Sequence, residues 1–252
     1  PLYWIVISSL KGDAEIFQRI PSFFPQKLVV ETYVSQLLDP ATLIALRNSC
    51  IIAVGSTAVS MILAVPCAYG LSRFRFKGKK AMLLTFLVTQ MLPSSLILTP
   101  LYLIYSKVGL LNTYLAPILS TATLSIPFVV LMLRPIFSGI PAELEEAALI
   151  DGCGRFKAFT HIILPITKNG TVTGLAFSFI YAWNDLMYSI TFNTQESLRP
   201  MTTRVYNFMT LYGTKWNYIM AYGVILALPV LILFIVLQKY IVQGLVSGSV
   251  KG

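Results

Sequence analysis

The chain has 252 residues, 56% of them hydrophobic and only 12% charged, with a mean hydropathy of +0.74. Soluble domains carry about 25% charged residues, so this composition excludes an ordinary soluble globule and points to a protein of the membrane. The formal net charge of +9 does not argue for a nucleic-acid partner, because the basic excess sits in a short loop between apolar runs, where it sets membrane orientation.

Residues 1–9, within PLYWIVISSL, are apolar but half as long as the roughly 20 residues that a span requires. They read as the tail of a first span. Between residues 11 and 45, Lys11, Arg19 and Lys27 alternate with Asp13, Glu15, Glu31 and Asp39, a balance expected of an outward-facing segment. No Asp, Glu, Lys, Arg or His then occurs between Arg47 and Arg73, Lys80 and Lys107, Lys107 and Arg134, or Lys215 and Lys239, and residues 169–195 hold a single charge, Asp185. Five complete spans are therefore predicted, at about 48–72, 81–105, 114–137, 169–191 and 216–240.

Arg73, Arg75, Lys77, Lys79 and Lys80 crowd the loop RFRFKGKK without an acid, the mark of a short cytoplasmic loop. By alternation 138–168 and the tail 241–252 are also cytoplasmic, and 10–45 and 192–215 face outward. The expected fold is all-α, a single polytopic transmembrane bundle without an internal repeat. Cys50, Cys67 and Cys153 lack metal-ligand spacing and the chain has one histidine, so neither a metal nor a catalytic centre is expected. Cys50 and Cys67, about 25 Å apart along one helix, cannot bridge each other.

Prolines interrupt the apolar runs at Pro66, Pro93, Pro127 and Pro229. Each removes a backbone donor, which a membrane tolerates only where neighbours or a wet cavity satisfy the freed carbonyl. Pro93, flanked by Gln90, Ser94 and Ser95, is the strongest candidate for a functional bend, and Gln90 and Pro93 are candidate lining of the solute path.

The segment SGIPAELEEAALIDGCGRFKAFTHIILP, 138–165, is a polar insert between two spans. Pro141 suits a first helical turn, Glu143, Glu145 and Glu146 sit near the positive end of the helix dipole, and Gly152 falls where a left-handed C-terminal turn is wanted. Phe156, Phe159, Ile162 and Ile163 then recur at helical spacing opposite Arg155, Lys157 and His161. Two short helices meeting at a glycine elbow are predicted, suited either to a groove on a soluble partner or to the bilayer surface.

Asp185 lies 16 residues into the predicted 169–191 helix, roughly 24 Å along it, toward the outer half of the membrane. Intramembrane carboxylates face the bundle interior or a wet cavity. With Tyr181, Trp183 and Asn184 it could meet a sugar, or it could bond to neighbouring helices and hold an outer gate.

Glu146-Ala147-Ala148, three residues, Gly152, nine residues, then Ile162-x-Leu164-Pro165 is similar to the EAA loop of binding-protein-dependent ABC importer permeases. Most of the chain, including AWNDLMYSI and LPVLILFIVLQKYIVQGLVSGSVKG, resembles the carbohydrate-uptake branch, the maltose-permease-G-like subunits of the type I, MetI-like fold. The resemblance implies a homologous second permease subunit, two ABC ATPase subunits that bind ATP and Mg, an extracytoplasmic solute-binding protein and a carbohydrate substrate. It implies that Glu145, Glu146, Ala147, Ala148, Asp151, Gly152, Arg155, Phe156, Leu164 and Pro165 couple the spans to an ATPase. The chain contains no GxxxxGK[ST] phosphate loop, so it is expected to be no enzyme and to bind no cofactor itself. The alternative is an ion-coupled secondary transporter, which shares apolar spans and broken helices.

Overall fold

The computed structural model describes residues 1–210 and 213–249. Helices α1 (Leu2–Ser9), α2 (Asp13–Ile16) and α3 (Glu31–Leu38) lead into the long α4 (Pro40–Arg73). Its start is fixed by Asp39, whose carboxylate accepts from the Ala41 N–H at 3.1 Å, and by Pro40 at the first helical position. Then come α5 (Lys79–Met91), α6 (Ser94–Lys107) and α7 (Leu115–Ser138), followed by α8 (Glu143–Ile150), α9 (Arg155–Ala158), a π-turn (Phe159–Ile163) and α10 (Leu164–Ile166). Helices α11 (Lys168–Trp183), α12 (Met187–Phe192), α13 (Met201–Arg204) and α14 (Trp216–Ser249) complete the bundle. Two-residue strands, β1 (Met209–Thr210) and β2 (Gly213–Thr214), pair antiparallel before α14. The part of the predicted 241–252 tail beyond Ser249 lies outside the described residues.

Three of the predicted spans appear as unbroken helices long and apolar enough to cross a membrane: Pro40–Arg73, Leu115–Ser138 and Trp216–Tyr240 of α14. The other two are corrections. The span expected at 81–105 is the pair α5 and α6, bent by 102°. The cause is local: a residue before proline is pushed out of the helical region, and Leu92 has ψ +129 with Pro93 at ψ +130. The span expected at 169–191 ends as α11 at Trp183 and resumes at Met187, so Asp185 stands in a helix break and not within a continuous helix.

The core forms where α4 packs on α7, with α11 lying across both and α14 against α11. Ala64, Ala68, Val129, Val130, Leu133 and Phe137 are fully enclosed there. Small residues permit the close approach; a Cβ on Gly170 would lie 2.4 Å from Ile136 Cδ1. Hydroxyls link the helices, with Ser60 to Ser125 at 2.5 Å, Thr121 to Ser56 at 2.9 Å and Ser125 to Ser178 at 3.3 Å. By contrast α5 buries none of its residues in this chain. Half-buried Leu83 and Phe86 pack on the α4–α7 core, and the remaining exposed apolar face of α5 is left to lipid or to another subunit.

Candidate functional site: a glycine elbow and a distant helix break

The elbow is built by its glycine. Gly152 has φ +81, its N–H donates to Leu149 O at 3.1 Å, and the Cys153 N–H donates to Ala148 O at 3.0 Å. Those paired bonds form a Schellman turn, which closes α8 and needs a residue without Cβ strain. Gly154 then starts the next helical run in extended conformation, with φ −69 and ψ 157. The run widens into a π-turn before Pro165, whose ring crowds the carbonyl of His161 and has no N–H to offer it.

The residues predicted to couple divide into two groups. Glu146, Ala147, Asp151, Gly152, Arg155, Phe156 and Pro165 are exposed, and Phe156 is 79% exposed. Ala148 is buried, and half-buried Leu164 packs on the α4–α7 core, so both support the elbow from within. Glu145 also faces inward, where its carboxylate accepts from Tyr69 Oη and lies 3.3 Å from Arg73 Nε. The Arg73 contact is an ion pair without the alignment of a hydrogen bond, since Nε has no bonding partner.

Phe159 stacks on Tyr69 with centroids 4.5 Å apart. The apolar face expected to carry both Phe156 and Phe159 is thus divided, Phe159 inside and Phe156 out. Ile150, which sequence reasoning missed, is 86% exposed at the same tip. Its signal was present, because an apolar side chain just before a glycine C-cap extends beyond the packed face. The Arg155 guanidinium lies 5.5 Å above the Phe74 ring, joining the elbow to the end of α4.

At the other end of the molecule the carboxylate of Asp185 accepts from the N–H of Tyr188 at 3.2 Å and Ser189 at 2.9 Å, and from Ser189 Oγ at 2.7 Å. It caps α12, satisfying N–H groups that a helix start leaves without partners. The Asp185 carbonyl accepts from Thr202 Oγ1 at 2.6 Å. Tyr181, Asn184 and Asp185 line one cavity of about 510 Å³, together with Ser94 and Tyr188. Tyr188 Oη donates to Ser94 O at 2.9 Å, tying this break to the bend between α5 and α6.

Gln90 does not reach that cavity; it lines a second one of about 320 Å³ with Ser125, Phe128 and Tyr181, and its Nε2 donates to Leu124 O at 3.1 Å. Pro93 lines neither and acts through the bend. Trp183 departs furthest from its predicted place, being 1% exposed and donating from Nε1 to Leu226 O at 3.1 Å. It faces α14, because the residue two after Tyr181 points to another side of the helix.

The fold is shared with a bacterial ABC transporter involved in the import of the acidic polysaccharide alginate, with a TM-score of 0.80 at 23% identity over 95% of this chain and 89% of the other. The diacetylchitobiose uptake system permease protein DasC of Streptomyces coelicolor is 32% identical over all of this chain and 91% of its own length. The probable ABC transporter permease protein YurM of Bacillus subtilis is 38% identical over all of this chain and 83% of its own. The trehalose/maltose transport system permease protein MalG of Thermococcus litoralis is 32% identical, again over the whole chain and 91% of its length. The profile of one family covers residues 56–247, which include the elbow and the break at Asp185, and the chain belongs to that family, the binding-protein-dependent transport system inner membrane components.

Proposed function

We propose that the chain is the membrane subunit of a carbohydrate importer in which ATP hydrolysis by partner subunits drives alternating access. The observation that carries this reading is the exposed elbow: a rigid Schellman turn presenting Ile150 and Phe156 in a chain of this transport family. Two large apolar side chains held in water are costly unless a partner covers them, and their placement at the end of α8 and the start of α9 suits insertion into an ATPase cleft. The carbohydrate class follows from relatives described as permeases for diacetylchitobiose and for trehalose or maltose.

In this mechanism the chain is a multi-pass inner-membrane protein with its basic loop, elbow and C-terminal end in the cytoplasm. It pairs with a homologous second permease subunit, two ATPases that hold ATP and Mg, and an extracytoplasmic solute-binding protein. Closure of the ATPases moves the elbow. Glu145 passes that movement to α4 through Tyr69 and Arg73, and Phe159 passes it to the α4–α7 core. At the outer end, the cavity beside Asp185 and Tyr181 opens or closes as the bend at Pro93 and the break at Asp185 move together through Tyr188. This is rigid-body alternation about a central path.

The test is uptake by the assembled complex in proteoliposomes. Uptake of a di- or oligosaccharide that requires both ATP and the loaded binding protein is the expected result. Uptake driven by a proton or sodium gradient without nucleotide would instead establish the ion-coupled porter.

A further inference from the structure

A cavity of about 650 Å³ opens where the basic loop meets α5 and α7, and Arg75, Lys79, Lys80 and Arg134 line it without a carboxylate. None of these four has an ion-pair partner among the described residues. The Nε of Arg134 is enclosed and unbonded, although a guanidinium stays charged and its buried donors demand an acceptor. The start of α5 adds to the excess. Gly78 caps it in the left-handed conformation with φ +94, no side chain satisfies its first N–H groups, and its first turn carries two lysines and no acid. Cations at the positive end of a helix dipole repel it, and an anion there relieves both.

We infer that this cavity binds the phosphate of an anionic phospholipid headgroup. The phosphate oxygens would accept from Arg134, Lys79, Lys80 and the free N–H groups at the start of α5, while Arg75 meets the outer edge. A lipid fits better than a free phosphate because half-exposed Phe76 and Leu83 line the same space, offering apolar surface to the glycerol and upper acyl chain. It also fits the place. Helix α5 buries no residue within the chain, so its apolar flank continues from the cavity mouth toward the hydrocarbon, and basic pockets between helices at a cytoplasmic interface suit acidic headgroups. Assignment to the inner leaflet rests on the orientation proposed above, but binding is measured without uptake, so each can fail alone.

The assembled complex, purified in detergent, is titrated with phosphatidylglycerol or phosphatidylcholine, and bound lipid is counted by native mass spectrometry. The phosphatidylglycerol adduct is expected to be retained over phosphatidylcholine. Its apparent affinity should fall at least about tenfold in Lys80→Gln and in Arg134→Gln, stay unchanged in Lys107→Gln at the far end of α6, and resist excess inorganic phosphate. If Arg134→Gln fails to assemble, the double variant Lys79→Gln/Lys80→Gln, at half-buried Lys79 and exposed Lys80, decides. Equal retention of the two lipids, indifference to the loop variants, or displacement by inorganic phosphate overturns the proposal. So does a photo-crosslinker at Phe76 that captures a protein subunit and no phospholipid.

Discussion

Asp185 has both carboxylate oxygens committed to the start of α12, which makes shape rather than charge its first contribution. Asparagine is as good a helix cap as aspartate, whereas alanine forfeits about 1 kcal/mol. Asp185→Asn keeps an oxygen for Ser189 but sets an NH2 against the Tyr188 N–H, so it should retain part of the parent's uptake, whereas Asp185→Ala should lose uptake while hydrolysing more ATP without solute; parental uptake by Asp185→Ala would remove the cap from the mechanism. Glu15, within α2, carries a separate, pH-dependent role. Burial raises its carboxyl, but the Gln26 N–H at 2.9 Å, the Ser22 hydroxyl at 2.8 Å and nearby Lys11 outweigh that and hold it below the ordinary range. A depressed carboxyl stabilises the fold above its unfolded pKa of about 4.3 and loses that contribution as pH falls through the lower folded value. Protection of the Gln26 amide from hydrogen exchange, taken relative to its intrinsic rate at each pH, should fall as the pH drops below about 4, and Glu15→Gln should remove that fall; an unchanged protection profile in the variant would assign the loosening to other groups.

At the scale of elements, the bend between α5 and α6 and the break between α11 and α12 matter more than the straight helices. In a straight helix the α-carbons of Leu87 and Leu103 would lie about 24 Å apart; the 102° bend brings them closer. Spin labels at those positions should give a short distance in the parent, and Pro93→Ala, which restores an N–H and frees Leu92, should add a longer population. An identical distance in the variant would place the cause of the bend outside Pro93. The elbow depends on its turn in the same way. Valine at Gly152 would be forced to φ +81, a strain of about 1–3 kcal/mol, so Gly152→Val should insert normally yet couple poorly, with uptake reduced against parental protein levels in the membrane. Parental uptake in that variant would make the loop a simple connector.

Across the whole molecule, what could be read from sequence followed what charge and local turn chemistry specify. Charge spacing marked out the apolar stretches that hold the unbroken helices Pro40–Arg73, Leu115–Ser138 and Trp216–Tyr240, and the position of Gly152 specified its turn, because a left-handed C-cap is a local event. The breaks at Pro93 and Asp185 were less legible. Proline lowers the cost of a bend without setting its angle, and a capping aspartate in an apolar run looks the same as a solute ligand until its N–H donors are known. The pairing of Tyr69 and Arg73 with Glu145 escaped notice because the partners are more than seventy residues apart, and Trp183 was grouped with Tyr181 by sequence proximity although they face different sides of α11. Orientation is open to direct test. In a background without Cys50, Cys67 and Cys153, cysteines at Lys77 and Ser138 should react only with membrane-permeant reagents in intact cells, and cysteines at Gln18 and Gln195 with impermeant ones; the reverse pattern would invert the topology. The central claim, that the elbow seats an ATPase, is tested most directly by the ATPase subunits retained when the tagged chain is extracted with its partners. The parent should retain them, and Phe156→Ala should weaken the contact by about 2 kcal/mol, roughly thirtyfold. Phe156→Glu should release them while the membrane level of the chain stays constant. Full retention of the ATPases by Phe156→Glu would contradict the account.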